Sequence, residues 1–326
     1  MKGGNLIIYY EELIKKRPHI VFLGSGASIA AIANGDMYGK KISSMSEFIE
    51  TSLIKDTIKS IETPINSDNL EEIYCELYDR PEHKELLDKL EKDIEDYFSD
   101  FKICDKPTVY DFLILALTKK DLIASFNWDP LLVQAYERVS KITDNLPKIV
   151  FLHGNVSLTK DSSIPLLYPL KEKDYYKNNS FIKEGWDILN CYLEKAYIVT
   201  IFGYKAPNFD KAAIDMLKKL WKKVEDRDIE KIDIIDISTK EELKKCWSDF
   251  TYTHHYSIYN NFFDSTLGRF PRRTCECVFD KVVRYKFVHK NMGFKEDMNF
   301  KNIQEFVKPL IEDEKTNKDI LKNFYL

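Results

Sequence analysis

Apolar residues cluster along this chain in short, nearly unbroken runs separated by longer stretches of mixed polarity. The runs are His19–Leu23 (HIVFL), Leu122–Phe126 (LIASF), Ile149–Leu152 (IVFL), Ala196–Phe202 (AYIVTIF) and Ile232–Ile237 (IDIIDI). They are rich in β-branched residues, and acidic side chains interrupt the last alone. Strands of a parallel sheet read this way because helices cover both faces. Between the runs, apolar residues recur at helical spacing. In Phe209–Trp221, the residues Phe209, Ala212, Ala213, Met216, Leu217, Leu220 and Trp221 fall on one face of a helix, with Asn208 after Pro207 as its N-cap. Strand and helix in alternation predict an α/β fold: a Rossmann-like, mostly parallel sheet with helices on both faces.

One stretch breaks the alternation. From Ser44 to Phe101 no strand is legible. Ser44 with Glu47 and Asn69 with Glu72 have capping-box spacing, and Leu86, Leu87, Leu90, Ile94, Tyr97 and Phe98 form another apolar helical face. The pattern predicts a helical insertion, residues 44–106, placed after the first βα unit of a single domain that spans 1–326. Thr239 with Glu242 has the spacing to cap a helix after the last strand. The tail, residues 291–326, reads as amphipathic helix.

Composition narrows the classes. The chain has 326 residues, 49 Lys+Arg against 53 Asp+Glu, and a net charge of −4. That slightly acidic balance argues against a dedicated nucleic-acid binder, and no direct sequence-specific nucleic-acid binding is expected. No apolar run approaches the ~20 residues that span a bilayer, so no membrane association is expected. The opening MKGGNLIIYYEELIKKR is not a secretory signal. The six cysteines (Cys75, Cys104, Cys191, Cys246, Cys275 and Cys277) contain no CxxC pair. A four-cysteine zinc ribbon is therefore not expected, and no metal. A reduced, cytoplasmic chain is the simple expectation.

In open α/β sheets ligands bind beyond the carboxyl ends of the strands, so the residues after each run are the candidates. They are Gly24-Ser25-Gly26-Ala27-Ser28, then Asn127-Trp128-Asp129, then His153-Gly154, then Gly203-Tyr204, with Asp236 near the end of the last run. Gly24 permits a tight turn, Gly26 lets a phosphate or ribose approach the backbone, and Ala27-Ser28 open a helix whose N–H groups face a pyrophosphate. The pattern is GxGxS, because Ile29 takes the third glycine position of a full dinucleotide fingerprint. The acidic residue expected about 20 positions on has no strand to sit on, which disfavours a dehydrogenase. Each residue also has a plain structural reading. The glycine loop serves a tight turn, Asn127 a turn or cap, and Asp129 an N-cap with Pro130 at N1. His254-His255 lie in an aromatic stretch that reads as packing or surface loop. Arg269, Arg272 and Arg273 read as a solvated or ion-paired face.

Taken in series, VFLGSGASIA (Val21–Ala30), SFNWDPLL (Ser125–Leu132), FLHGNV (Phe151–Val156) and FGYKAP (Phe202–Pro207) resemble the sirtuin family, especially the sirtuin-like proteins of bacterial anti-phage defence. Weaker matches to that branch are NGDMYGKKI (Asn34–Ile42), NLEEIYCELYD (Asn69–Asp79), PLLYPL (Pro165–Leu170) and FFDSTLGRFPRRTCE (Phe262–Glu276). The resemblance implies a domain that binds NAD as substrate and breaks its nicotinamide–ribose bond. By the resemblance, Asn127 and His153 are the catalytic pair and Gly24, Ser25, Gly26, Ala27 and Ser28 cradle the pyrophosphate and ribose. Asp129 meets the nicotinamide amide, Gly203 and Tyr204 the adenosine half, and Asp236 the adenosine ribose.

Departures from the deacylating sirtuins are specific. Phe126 stands where they carry a Gln before the catalytic Asn. Residues 154–195 contain Cys191 alone in place of the four-cysteine zinc module, and Asn34–Lys41 replaces their Asp-Phe-Arg segment. These losses disfavour protein deacylation and ADP-ribosyl transfer. The expected activity is NAD+ hydrolysis to nicotinamide and ADP-ribose by an anti-phage defence effector. It is expected to be restrained until homo-oligomerisation or a partner defence protein completes it. The alternative is a non-catalytic NAD- or ADP-ribose-binding subunit of a larger defence complex.

Overall fold

The computed structural model describes residues 17–43, 45–50, 52–61, 67, 70–159, 166–168, 179–205, 211–221, 226, 228–251, 255–282 and 293–316. Six strands form one sheet: β1 (His19–Leu23), β2 (Leu122–Ser125), β3 (Lys148–Phe151), β4 (Ile198–Phe202), β5 (Lys231–Ile235) and β6 (Tyr256–Tyr259). Their order is β3-β2-β1-β4-β5-β6, and every neighbouring pair is parallel. This is the doubly wound order in which the chain reverses direction between β1 and β4, and the crevice opens beyond the carboxyl ends of those two strands. The principal helices are α1 (Ser25–Ala31), α2 (Lys84–Ser99), α3 (Val109–Ala116), α4 (Leu131–Val139), α5 (Ser180–Leu193), α6 (Lys211–Trp221), α7 (Lys240–Cys246), α8 (Thr274–Val282) and α9 (Phe300–Thr316).

The inner strands β1, β2 and β4 are buried along their whole length because helices cover both faces of the sheet there. Alternate residues of β1 show it. Val21 and Leu23 join a core with α2, α3, α4 and α9, whereas Ile20 and Phe22 join a second core with α5, α6 and α7. The α6 stripe behaves as its spacing predicts, with Ala213, Leu217 and Trp221 all buried. Asn208 and Phe209, expected to open that helix, lie outside the described residues, as do Ser44 and Asn69 of the two early capping boxes. The Thr239–Glu242 box is formed at the start of α7.

Between α1 and α3 the regular structure of the described residues is helical. Short helices Met45–Phe48, Ser52–Lys59 and Leu70–Tyr78 precede α2. These helices share the first core with the sheet rather than enclosing one of their own. Phe98 of α2 meets Trp128, after β2, edge to face at 5.7 Å. These helices thereby reach the residues that follow β2.

Two features differ from the sequence expectation. β6 adds an edge strand within the aromatic stretch expected to be packing or surface loop. His255 precedes it, exposed and paired with Glu230, and His254 lies outside the described residues. The strand is half-buried along its length, so its YSIY sequence carries neither a continuous apolar run nor a clean alternation. Arg272 and Arg273 are ion-paired, as expected, yet buried rather than solvated. Both reach Glu314 of α9, Arg272 by two nitrogens at 2.7 and 2.6 Å and Arg273 at 2.7 Å. Arg269 stays at the surface beside Asp264.

Candidate active site

The crevice at the direction reversal begins with a close approach of two loops. Gly24 follows β1 and donates its N–H to Phe202 O at 3.0 Å, and Gly26 donates to Gly203 O at 2.9 Å. Gly203 adopts φ +61°, and a Cβ on it would lie 2.2 Å from Ala27 N. On Gly24 a Cβ would lie 2.5 Å from Gly203 O, and on Gly26 one would lie 2.8 Å from Gly203 Cα. The glycines are thus required by the approach of the loops to each other, before any ligand is considered.

This contact also changes the reading of the glycine loop as a phosphate cradle. The Gly26 N–H is engaged by Gly203 and the Ala27 N–H by Gly24 O at 3.0 Å, so these two first-turn amides are occupied. Ser28 is buried with its hydroxyl turned into the protein. Ser25, which is exposed, is the member of the loop that offers a side chain at the rim.

Asn127 follows β2, whose parallel pairing is extended by Phe126 N–H donating to Leu23 O at 3.0 Å. Its Nδ2 donates to Gly24 O at 2.8 Å, Ser28 Oγ at 2.9 Å and Tyr110 Oη at 3.2 Å. Asn127 therefore ties the loop after β2 to the loop after β1. With the amide nitrogen turned inward, the amide oxygen is the atom it can present to a ligand. Asn127 is buried, with 8 % of its surface exposed.

Asp129 is buried and its Oδ1 accepts from Leu131 N–H at 3.1 Å, as a capping carboxylate does. The helix begins one residue later than its sequence predicts, with Pro130 rather than Asp129 as the flanking cap residue. Its Oδ2 accepts from Ser28 Oγ at 2.5 Å, and its backbone carbonyl accepts from Asn155 Nδ2 at 2.6 Å. Burial pushes the Asp129 carboxyl above its ordinary value, opposed by the Ser28 and Leu131 hydrogen bonds.

His153 follows β3, and its backbone oxygen accepts from Leu167 N–H at 2.9 Å. Gly154 then takes φ +78°, the turn that delivers Asn155 beneath Asp129. The imidazole stands edge to face against Phe126 at 5.1 Å, and Phe126 stacks on Tyr204 at 4.2 Å. Phe126 thus links the loops after β2, β3 and β4 through one ring. Tyr204 is buried, and its carbonyl accepts from Trp247 Nε1 at 3.2 Å.

Asp236 stands apart from this group. It follows β5, donates its N–H to Tyr259 O at 3.0 Å and accepts Ser238 N–H at 2.8 Å on its carboxylate, closing a local turn. Tyr110 and Asn155 are the residues that sequence reasoning did not single out. Tyr110 lies on α3, whose start is capped by the Thr108–Asp111 box and held by Arg138 of α4. A T-x-x-D signal was present in the sequence, but nothing local says that this helix faces the crevice. Among the described residues, no group of three or more His, Cys, Asp or Glu is placed to hold a metal ion. No helix among them is long and apolar enough to cross a membrane.

No family model and no curated protein matches this chain. Solved structures do. The chain is similar to Sir2 in complex with an inhibitor, 2'-O-acetyl-ADP-ribose and a deacetylated p53 peptide, at 12% identity over 84% of this chain and 98% of that one, with a TM-score of 0.39. It is similar to a structure describing the mechanism and regulation of Sir2 enzymes, at 11% identity over 83% and 97%, with a TM-score of 0.42. A third is Sir2 with a p53 peptide and NAD+, at 13% identity over 84% and 97%, with a TM-score of 0.35.

Proposed function

We propose that this chain binds NAD+ in the crevice at the β1/β4 reversal and hydrolyses its nicotinamide–ribose bond, releasing nicotinamide, ADP-ribose and a proton. The observation that carries the reading is the meeting of the Asn127, Asp129 and His153 loops with the glycine loop at the carboxyl edge of a doubly wound sheet, where dinucleotides bind.

The chemistry asks little of the protein beyond placement. The pyridinium leaves as a neutral ring, and positive charge develops at the anomeric carbon. Asn127, its nitrogen held by three inward acceptors, offers its oxygen to orient a water below that carbon. His153 takes a proton from the water or a ribose hydroxyl, since imidazole titrates near neutral pH. Asp129 supplies a buried carboxylate beside the developing charge and meets the nicotinamide amide. The rim residue Ser25 and the Gly203–Tyr204 loop bound the remainder of the dinucleotide, and Asp236 lies on the adenosine side. The activity is that of a defence effector, restrained until oligomerisation or a partner protein completes the site.

A second reading, a non-catalytic NAD- or ADP-ribose-binding subunit, draws on one observation. The inward hydrogen bonds of Asn127 are by themselves a structural reason for an asparagine there. One experiment separates the two. NAD+ consumption is followed over a protein concentration series with product identification, beside Asn127→Ala and His153→Ala variants shown to be folded. Nicotinamide and ADP-ribose from the wild type, lost in both variants, is the expected result. NAD+ binding without turnover at every concentration would favour the binding subunit.

A further inference from the structure

The hydroxyl of Tyr110 is fully buried between two residues of the candidate site, 2.7 Å from Ser28 Oγ and 3.2 Å from Asn127 Nδ2. The direction of each hydrogen bond in this group follows from which atoms can accept. Asn127 Nδ2 can only donate. Among the described residues, the Tyr110 proton therefore has Ser28 Oγ as its acceptor. Ser28 Oγ, receiving from Tyr110 and Asn127, sends its own proton to Asp129 Oδ2 at 2.5 Å, a length typical of donation to a charged oxygen. Asp129 Oδ1 already accepts from Leu131 N–H. All of these donors are satisfied when Asp129 is a carboxylate. If Asp129 were protonated on Oδ2, the chain would reverse: Asp129 would donate to Ser28, Ser28 to Tyr110, and the Tyr110 proton would be buried without an acceptor.

We propose that Tyr110 is a positioning residue that favours the anionic form of Asp129 by donating to Ser28 Oγ, which strengthens the Ser28 donation in the chain Tyr110→Ser28→Asp129. Its helix is suited to the task, because the Thr108–Asp111 cap and the Arg138–Asp111 ion pair fix the turn that carries it. Burial and the Asp129 charge push the Tyr110 phenol well above its ordinary value, so it keeps the proton that sets the direction. The groups facing Asp129 are Ser28 from α1, Tyr110 from α3, Leu131 N–H from its own helix, and Asn155 from the loop after β3, which also carries the titratable His153. No lysine, arginine or histidine forms an ion pair with Asp129 among the described residues. The Ser28 hydroxyl, together with the Leu131 N–H, is thus what counters the cost of burying the charge.

The catalytic half of this inference rests on the NAD+-cleaving reading, in which the Asp129 charge favours the cationic sugar. The titration half does not. The test follows the Asp129 carboxyl by ¹³C NMR in the whole chain, its resonance assigned by loss in Asp129→Asn. His153→Ala identifies any step in the titration that belongs to the imidazole. Tyr110→Phe is expected to raise the Asp129 midpoint by up to about one pH unit, because Ser28 Oγ loses the donation that polarises it toward Asp129. Ser28→Ala, which removes the donor itself, is expected to raise it further. The acid limb of NAD+ turnover should move with the midpoint, with KM nearly unchanged. An Asp129 midpoint unmoved in Tyr110→Phe would overturn the proposal, whatever happens to activity. A midpoint that moves while the acid limb of turnover stays fixed would overturn its catalytic half. A wild type that never turns over NAD+ would instead sink the functional reading, and the titration would still decide the role of Tyr110.

Discussion

Gly26 and Gly203 meet backbone to backbone where the loops after β1 and β4 come together. The Gly26 N–H donates to Gly203 O at 2.9 Å, and a Cβ on Gly26 would lie 2.8 Å from Gly203 Cα. The contact joins the loops that follow β1 and β4, the two strands between which the chain reverses direction, so the crevice and the sheet are built by the same few atoms.

Gly203→Ala should accordingly cost at least about 3 kcal/mol of folding stability, because a positive φ and a backbone clash act together. Gly39 offers the comparison. Its φ is +81°, but a Cβ there meets nothing within 4 Å. Gly39→Ala should cost only about 1 kcal/mol, the left-handed penalty alone. Urea unfolding of both variants measures the difference, and equal losses would refute the clash as the dominant effect.

Stability should fall in mild acid because of His19, buried at the start of β1. Thr274 Oγ1 lies 3.0 Å from Nδ1 and Thr200 Oγ1 2.8 Å from Nε2, partners that suit a neutral ring. Burial lowers its pKa to about 4 from an ordinary 6.5. Below 6.5 the unfolded chain takes up a proton that the folded one refuses. Stability is therefore complete above about pH 6.5 and declines as pH falls toward 4, by about 3 kcal/mol in total. Unfolding free energies from pH 7 to 4 should show this slope in the wild type and lose it in His19→Gln.

Glu314 should prove a structural anchor for α9. Burial raises its pKa, but the two buried arginines outweigh burial and hold it below the ordinary glutamate value. Its contribution is present above the usual glutamate range and is lost as pH falls through the depressed folded value. Glu314→Gln removes the charge that Glu314 supplies to the buried Arg272 and Arg273 and should cost about 3 kcal/mol. Thermal unfolding would measure it. A loss well under 1 kcal/mol would show that other partners hold the arginines.

Replacing Phe126 by the glutamine of deacylating sirtuins should not introduce deacylation. The ring is buried against Tyr204 and His153, and an amide there loses the stacking. Phe126→Gln is expected to cost about 3 kcal/mol and, under the proposed NAD+ hydrolysis, to lower turnover by displacing His153, with no release of acyl groups from acyl-lysine peptides. Recovery of deacylase activity would contradict this account of position 126.

Much of the fold was legible because it depends on local pattern. The runs beginning at His19, Leu122, Ile149, Ala196 and Ile232 each overlap an observed strand, since a strand covered on both faces reads as a nearly continuous apolar run. The Thr239 box and the α6 stripe were equally local. β6 was missed because an edge strand, half-covered, has no such constraint, and its YSIY reads as loop.

The sequence by itself determined which residues stand at strand ends: the glycine loop, Asn127, Asp129, His153, Gly203 and Asp236 are adjacent to apolar runs, and adjacency is one-dimensional. Tertiary structure alone decided what those residues do there. It turned the Ser28 hydroxyl inward to Asp129, engaged the Gly26 amide with the Gly203 carbonyl, brought Tyr110 and Asn155 to the network and buried Arg272 and Arg273 against Glu314. Each of these is a hydrogen bond or ion pair between segments far apart in the chain. Such a partner is selected by the packing of whole helices against the sheet, and no local spacing encodes it.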